Sequence, residues 1–106
     1  MQTSRRMGNM GGSIIAWFLR RKGYAVSQWG TGSEGATDIK ASRGNRNVLV
    51  QVRTSCFPAE PDSAPREETN RVLLRAAWIG AEAWQANLQM FRNGTLVPPI
   101  QWRRVL

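Results

Sequence analysis

Residues Gly35–Ser55 read GATDIKASRGNRNVLVQVRTS, and this stretch decides the fold. Two runs rich in strand formers, Ala36–Ser42 and Asn47–Thr54, flank Arg43-Gly44-Asn45-Arg46, whose Gly and Asn favour a turn. The expectation is a β-hairpin with a four-residue loop. If Ser42 pairs with Asn47, the antiparallel register sets Asp38 opposite Gln51. Strand side chains alternate, so Arg53 points the same way and the three polar groups share one face. Val48, Val50 and Val52 take the other face, where a helix can cover them. A slip of one residue would scatter the cluster.

Upstream, apolar residues at Met10, Ile14, Ile15, Trp17 and Phe18 follow a helical period, predicting an amphipathic helix over Asn9–Lys22. Arg20, Arg21 and Lys22 suit the negative end of its dipole, and Gly23 supplies the stop. Residues 1–7 are polar and basic and read as a flexible arm. Tyr24–Trp29 reads as a first strand, followed by the turn-forming stretch Gly30–Gly35.

Downstream of the hairpin comes a Pro-rich loop, Pro58–Pro65. Asp62 or Ser63 can cap a second helix, with Pro65, Glu67 and Glu68 in its first turn. The acids there complement the helix dipole and need no catalytic role. Val72, Leu73, Ala76 and Ala77 give its buried face, and Gly80 ends it. Trp84, Ala86, Leu88 and Met90 alternate as a fourth strand. Asn93-Gly94 marks a hairpin turn into a fifth, Leu96–Val105, which Pro98-Pro99 confines to a sheet edge. Asn93-Gly94-Thr95 also fits a glycosylation acceptor, but the turn accounts for it. The order is α-β-β-β-α-β-β: an α/β chain with a central mixed sheet flanked by helices, in a single domain spanning 1–106.

The chain has 106 residues, enough for one modest core. Its 15 Lys and Arg against 7 acids give a net charge of +8, and 13 of the 15 are Arg. The Arg fork matches phosphate, so this balance points to nucleic acid. With no histidine and only Cys56, zinc sites and His-based catalysis lack their groups. A lone cysteine permits no internal disulfide, so a reducing cytoplasm is expected. No run approaches the roughly 18 apolar residues of a membrane span. Among five tryptophans, Trp17 and Trp84 fit core positions. Trp29, Trp78 and Trp102 can serve a core, a base-stacking surface or a dimer contact.

MGNMGGSIIAWFLRRKGYAVSQWGTGSEGATDIKAS, then VLVQVRTS, resembles the PD-(D/E)XK nuclease superfamily and, within it, the archaeal-type Holliday junction resolvases. A Gly-led helix, a Gly-Tyr strand entry, a Gly-Ser loop, Thr-Asp-Ile and a strand carrying Gln-x-Arg occur in the family's order over about residues 8–55. The resemblance implies a restriction-endonuclease-like fold and a Mg²⁺- or Mn²⁺-dependent endonuclease acting on branched DNA as a homodimer. The family's metal-binding Asp falls on Asp38. Its second acid falls on Gln51, an oxygen donor without charge, and its Lys on Arg53, which stays protonated and cannot be a base. The acid of the family's first helix corresponds to Gly11-Gly12-Ser13, where none stands. Ser33, with Thr31 second, matches the loop Ser near the family's catalytic centre.

On this reading Asp38 and Gln51 hold an ion, and Arg53 stabilises charge on phosphate. Glu34 is a substitute ligand, and the ion binds with substrate or not at all. Arg5, Arg6, Arg43 and Arg46 are the candidate phosphate contacts. Two further readings stay open: a catalytically inactive DNA-binding module, and an interaction subunit whose Trp-rich surface binds protein.

Overall fold

The computed structural model describes residues 4–30, 36–59 and 66–106. Its elements are α1 (Ser4–Arg21), β1 (Ala25–Gly30), β2 (Ala36–Arg43), β3 (Arg46–Cys56), α2 (Arg66–Ile79), β4 (Glu82–Met90) and β5 (Leu96–Arg104). The hairpin forms in the expected register, with Ser42 opposite Asn47 and Asp38 opposite Gln51. Pairing continues to Arg43 and Arg46, so the loop is the two-residue turn Gly44-Asn45, with Gly44 at a φ of +59°. The strands form one sheet in the order β1-β2-β3-β4-β5. All neighbours are antiparallel except β3 and β4, which run parallel because α2 carries the chain between them. This is the expected α-β-β-β-α-β-β mixed sheet, with Pro98 and Pro99 on an edge strand.

Helix α1 begins at Ser4, so residues 4–7 of the arm expected over 1–7 are helical, and residues 1–3 lie outside the described residues. Arg and Met are good helix formers and no Pro intervenes, so Arg5 and Arg6 fall in the first turn. At its other end Gly23 takes a φ of +91°, and Tyr24 N–H donates to the Leu19 carbonyl at 3.1 Å. Gly80 ends α2 in the same way, with Ala81 N–H on the Ala76 carbonyl at 2.8 Å.

The two sheet faces differ. On one, Ile15, Ala16 and Leu19 of α1 pack on Ile39, Ala41, Val48, Val50, Val52, Ala86, Leu88 and Met90. The seam of α1 therefore runs through Gly11, Gly12, Ile15, Ala16 and Leu19, small residues included, rather than through the largest apolar ones. Trp17, expected in the core, is 52% exposed and lies under the Arg21 guanidinium at 4.9 Å. Trp84 packs against this core while remaining half-buried. On the opposite face α2 lays Val72 and Ala76 over Leu49, Ala81 and Ala83. Leu73 is half-buried there, but Ala77, expected on the buried side, is exposed. No helix of the described residues is long and apolar enough to cross a membrane.

Candidate functional site

The α2 face changes character at one step of the parallel ladder. Leu49 beside Ala83 is the last apolar pair, and the next three are Gln51 beside Gln85, Arg53 beside Asn87 and Ser55 beside Gln89. Asp38, opposite Gln51, extends this polar floor onto β2. Helix α2 sits over the apolar part and reaches the polar part with Arg71, whose Nη2 donates to Asp38 Oδ2 at 3.4 Å.

The floor is built rather than incidental. Asp38 and Gln51 are buried, Gln51 to 1% exposure, and Arg53 is half-buried. Gln85 Nε2 donates to Gln51 Oε1 at 3.4 Å. Gln51 Nε2 has no hydrogen-bond partner among the described residues. Burying an amide donor in that state costs stability, so its presence on the central strand asks for a reason beyond packing. At the far end Ser55 Oγ and Gln89 Nε2 bind the Ala59 carbonyl, at 2.6 and 2.8 Å, and tie down the turn after β3. The centre is thus buried Asp38 and Gln51, half-buried Arg53, Gln85 and Asn87, and exposed Arg71.

Its chemistry bears directly on a divalent ion. Along β2, β3 and β4, Asp38 is the only acid on this face, and Arg71 already sits on one of its oxygens. Gln51 gives oxygen without charge, and that oxygen already accepts from Gln85. No group of three or more His, Cys, Asp or Glu able to hold a metal occurs among the described residues. Among the described residues, one carboxylate beside guanidiniums does not fit a resident Mg²⁺ or Mn²⁺, which needs several oxygens and compensating charge.

The structure thus brings Asp38, Gln51 and Arg53 together on one face. Ser33, Thr31 and Glu34, like the capping candidates Asp62 and Ser63, lie outside the described residues. Arg5 and Arg6 stand in the first turn of α1. Arg43 and Arg46 lie at the hairpin end, and both are engaged within the fold. Arg43 Nη1 donates to the Lys22 carbonyl at 2.7 Å, with its guanidinium 4.7 Å above the Tyr24 ring. Arg46 forks onto Glu82, Nε to Oε2 at 2.6 Å and Nη2 to Oε1 at 2.9 Å. This fork, chiefly, drops the Glu82 carboxyl from 4.5 to about 2 against the opposing effect of burial, with Trp84 Nε1 at 3.1 Å and Arg104 at 3.6 Å assisting. Arg46 is pushed upward by the same bond.

Sequence reasoning missed Arg71, Gln85 and Asn87. The last two carried a readable signal, since Gln85-x-Asn87-x-Gln89 alternates against Trp84, Ala86 and Leu88. Arg71 carried none, because its approach to Asp38 depends on where α2 crosses the sheet.

No protein-family model matches the chain, and no curated protein does. Among solved structures, the chain is similar to the 1.6 Å structure of Archaeoglobus fulgidus Hjc, a Holliday junction resolvase from an archaeal hyperthermophile. The TM-score is 0.63 at 16% identity, over 92% of this chain and 71% of that one. The chain therefore shares the fold of that structure, with the α-β-β-β-α-β-β mixed sheet expected around its hairpin.

Proposed function

We propose that this chain binds DNA through the polar floor of its sheet, holding phosphate without a resident metal. The observation that carries this reading is the Arg71 guanidinium on Asp38, in a floor otherwise made of Arg53 and neutral amides. Such a set donates hydrogen bonds and positive charge, as a phosphodiester requires, and offers a cation little. The net charge of +8 supplies the long-range attraction. The resolvase-like fold supports branched or duplex DNA as the target, and a reducing cytoplasm suits the lone cysteine.

A second reading is favoured by the Asp38–Gln51 pairing, which retains the geometry of a nuclease hairpin. Here the chain is a homodimeric endonuclease that cuts branched DNA with Mg²⁺ or Mn²⁺ arriving together with substrate. Arg53 then stabilises charge on the phosphate under attack.

Labelled four-way junction, duplex and single-stranded DNA, each incubated in Mg²⁺, Mn²⁺ and EDTA, separate the two. The first reading expects salt-sensitive binding in all three conditions and intact strands. Paired nicks that vanish with EDTA and with Asp38→Ala select the second. No binding at low salt overturns both.

A further inference from the structure

The opposite sheet face holds a second site. Helix α1 lies across β1, β2 and β3 and barely reaches β4, so a groove opens between its C-terminal end and β5. Its volume is about 560 Å³, within the range of roughly 300–1,000 Å³ typical of ligand sites. Leu19, Val48, Val50 and Ile100 make an aliphatic floor, and Phe18, Trp84 and Trp102 form aromatic walls. Trp102 is 42% exposed although apolar neighbours surround it. Lys22, Arg43 and Arg46 stand at the rim.

The rim is not uniform. Arg46 is neutralised by Glu82, leaving Lys22 and Arg43 as the cations that face an incoming group. Arg43 is fixed in place by the Lys22 carbonyl and the Tyr24 ring, and one bond to that carbonyl leaves most of the five guanidinium N–H donors. A held cation loses little freedom on binding, which favours a carboxylate there.

The geometry points to an acidic peptide of a partner protein, one bulky apolar side chain seated on the floor and its carboxylates at Lys22 and Arg43. A second copy of this chain is disfavoured by charge, since each carries +8. A nucleobase is disfavoured by the floor, which is aliphatic, while the Trp84 indole N–H is already given to Glu82. Base edges buried there would go unmatched. Strand addition to β5 is blunted by Pro98 and Pro99, so side chains rather than backbone must anchor the peptide. The groove is on the face away from Asp38, so this inference does not depend on the DNA reading.

The test is calorimetric titration of the full chain with an acetylated peptide of aspartates ending in Leu-Phe with a free carboxylate. A single site of micromolar affinity is expected. Replacing Leu-Phe by Ala-Ala, or using Trp102→Ala or Lys22→Glu protein, is expected to weaken it by about tenfold or more. Circular dichroism confirms that each variant folds, and Lys22→Glu at an exposed helix end keeps the test valid if Trp102→Ala does not. No binding at millimolar peptide overturns the proposal, as does equal affinity for the Ala-Ala peptide, which would be attraction by charge alone. Loss of oligothymidylate binding in Trp102→Ala with peptide binding unchanged also overturns it, and assigns the groove to nucleic acid.

Discussion

Replacing Gly11 by alanine should destabilise the protein, although alanine is the better helix former. In an exposed helix that change would gain about 1 kcal/mol. Here a Cβ at position 11 would overlap Thr54 Oγ1 and meet Thr54 Cβ at 3.1 Å and Cγ2 at 3.2 Å. Rotation of Thr54 can move Oγ1 and Cγ2 but not its Cβ, which is fixed to the central strand of the sheet. Overpacking of this kind costs about 1–3 kcal/mol, so after that gain the net loss should be up to about 2 kcal/mol. Thr54→Ala removes Oγ1, which has no partner among the described residues, so it should cost little itself and relieve much of the strain. Urea denaturation of the two single variants and the double variant measures the coupling, expected at about 1 kcal/mol. A Gly11→Ala protein more stable than the parent, or strictly additive variants, would refute the close approach of α1 to β3.

Glu82→Gln should cost about 1 kcal/mol at neutral pH, given the solvent screening of a partly exposed pair. The folded carboxyl titrates near 2 rather than 4.5, so the folded state binds fewer protons, and the difference between parent and variant should shrink as pH falls from about 4.5 to about 2 in acid denaturation. Gln51→Met removes a fully buried amide and should be neutral or stabilising by up to about 1 kcal/mol in the same urea assay, while weakening DNA binding. Arg53→Gln should lower the slope of log affinity against log salt by about one, read from anisotropy of labelled duplex. Gln51→Glu combined with Arg71→Gln turns the floor into two facing carboxylates, and should bind Mn²⁺ in calorimetry where the parent does not.

The fold was legible because the hairpin states its own register. A Gly-Asn turn and alternating valines leave one pairing that buries the apolar face, and that pairing places Asp38 by Gln51. The seam of α1 was illegible for a packing reason. Gly11, Gly12 and Ala16 carry almost no hydrophobic signal, yet their small size lets the helix approach Thr54, which turns Trp17 outward. Arg71 was illegible because its partner is 33 residues away, across a crossover whose path no local pattern encodes. The sequence likewise shows that an Arg is present at 46, but the Glu82 that engages it comes alongside only through the parallel pairing of β3 and β4.

The approach of α1 also sets this chain apart from the nucleases it resembles. Where the resembled nucleases carry an acid on the first helix, this chain has Gly11-Gly12-Ser13, and at Gly11 even a methyl group meets the central strand. An acid could not be restored at position 11 without moving the helix. Gln51 and Arg71 push in the same direction from β3 and α2, one by withholding charge and the other by occupying the charge that remains. Two elements that meet at the floor, β3 and α2, thus oppose a bound cation together, whereas a single substituted ligand would leave the others poised for metal. On the proposed phosphate-holding function, recovering metal binding should require changes on both β3 and α2.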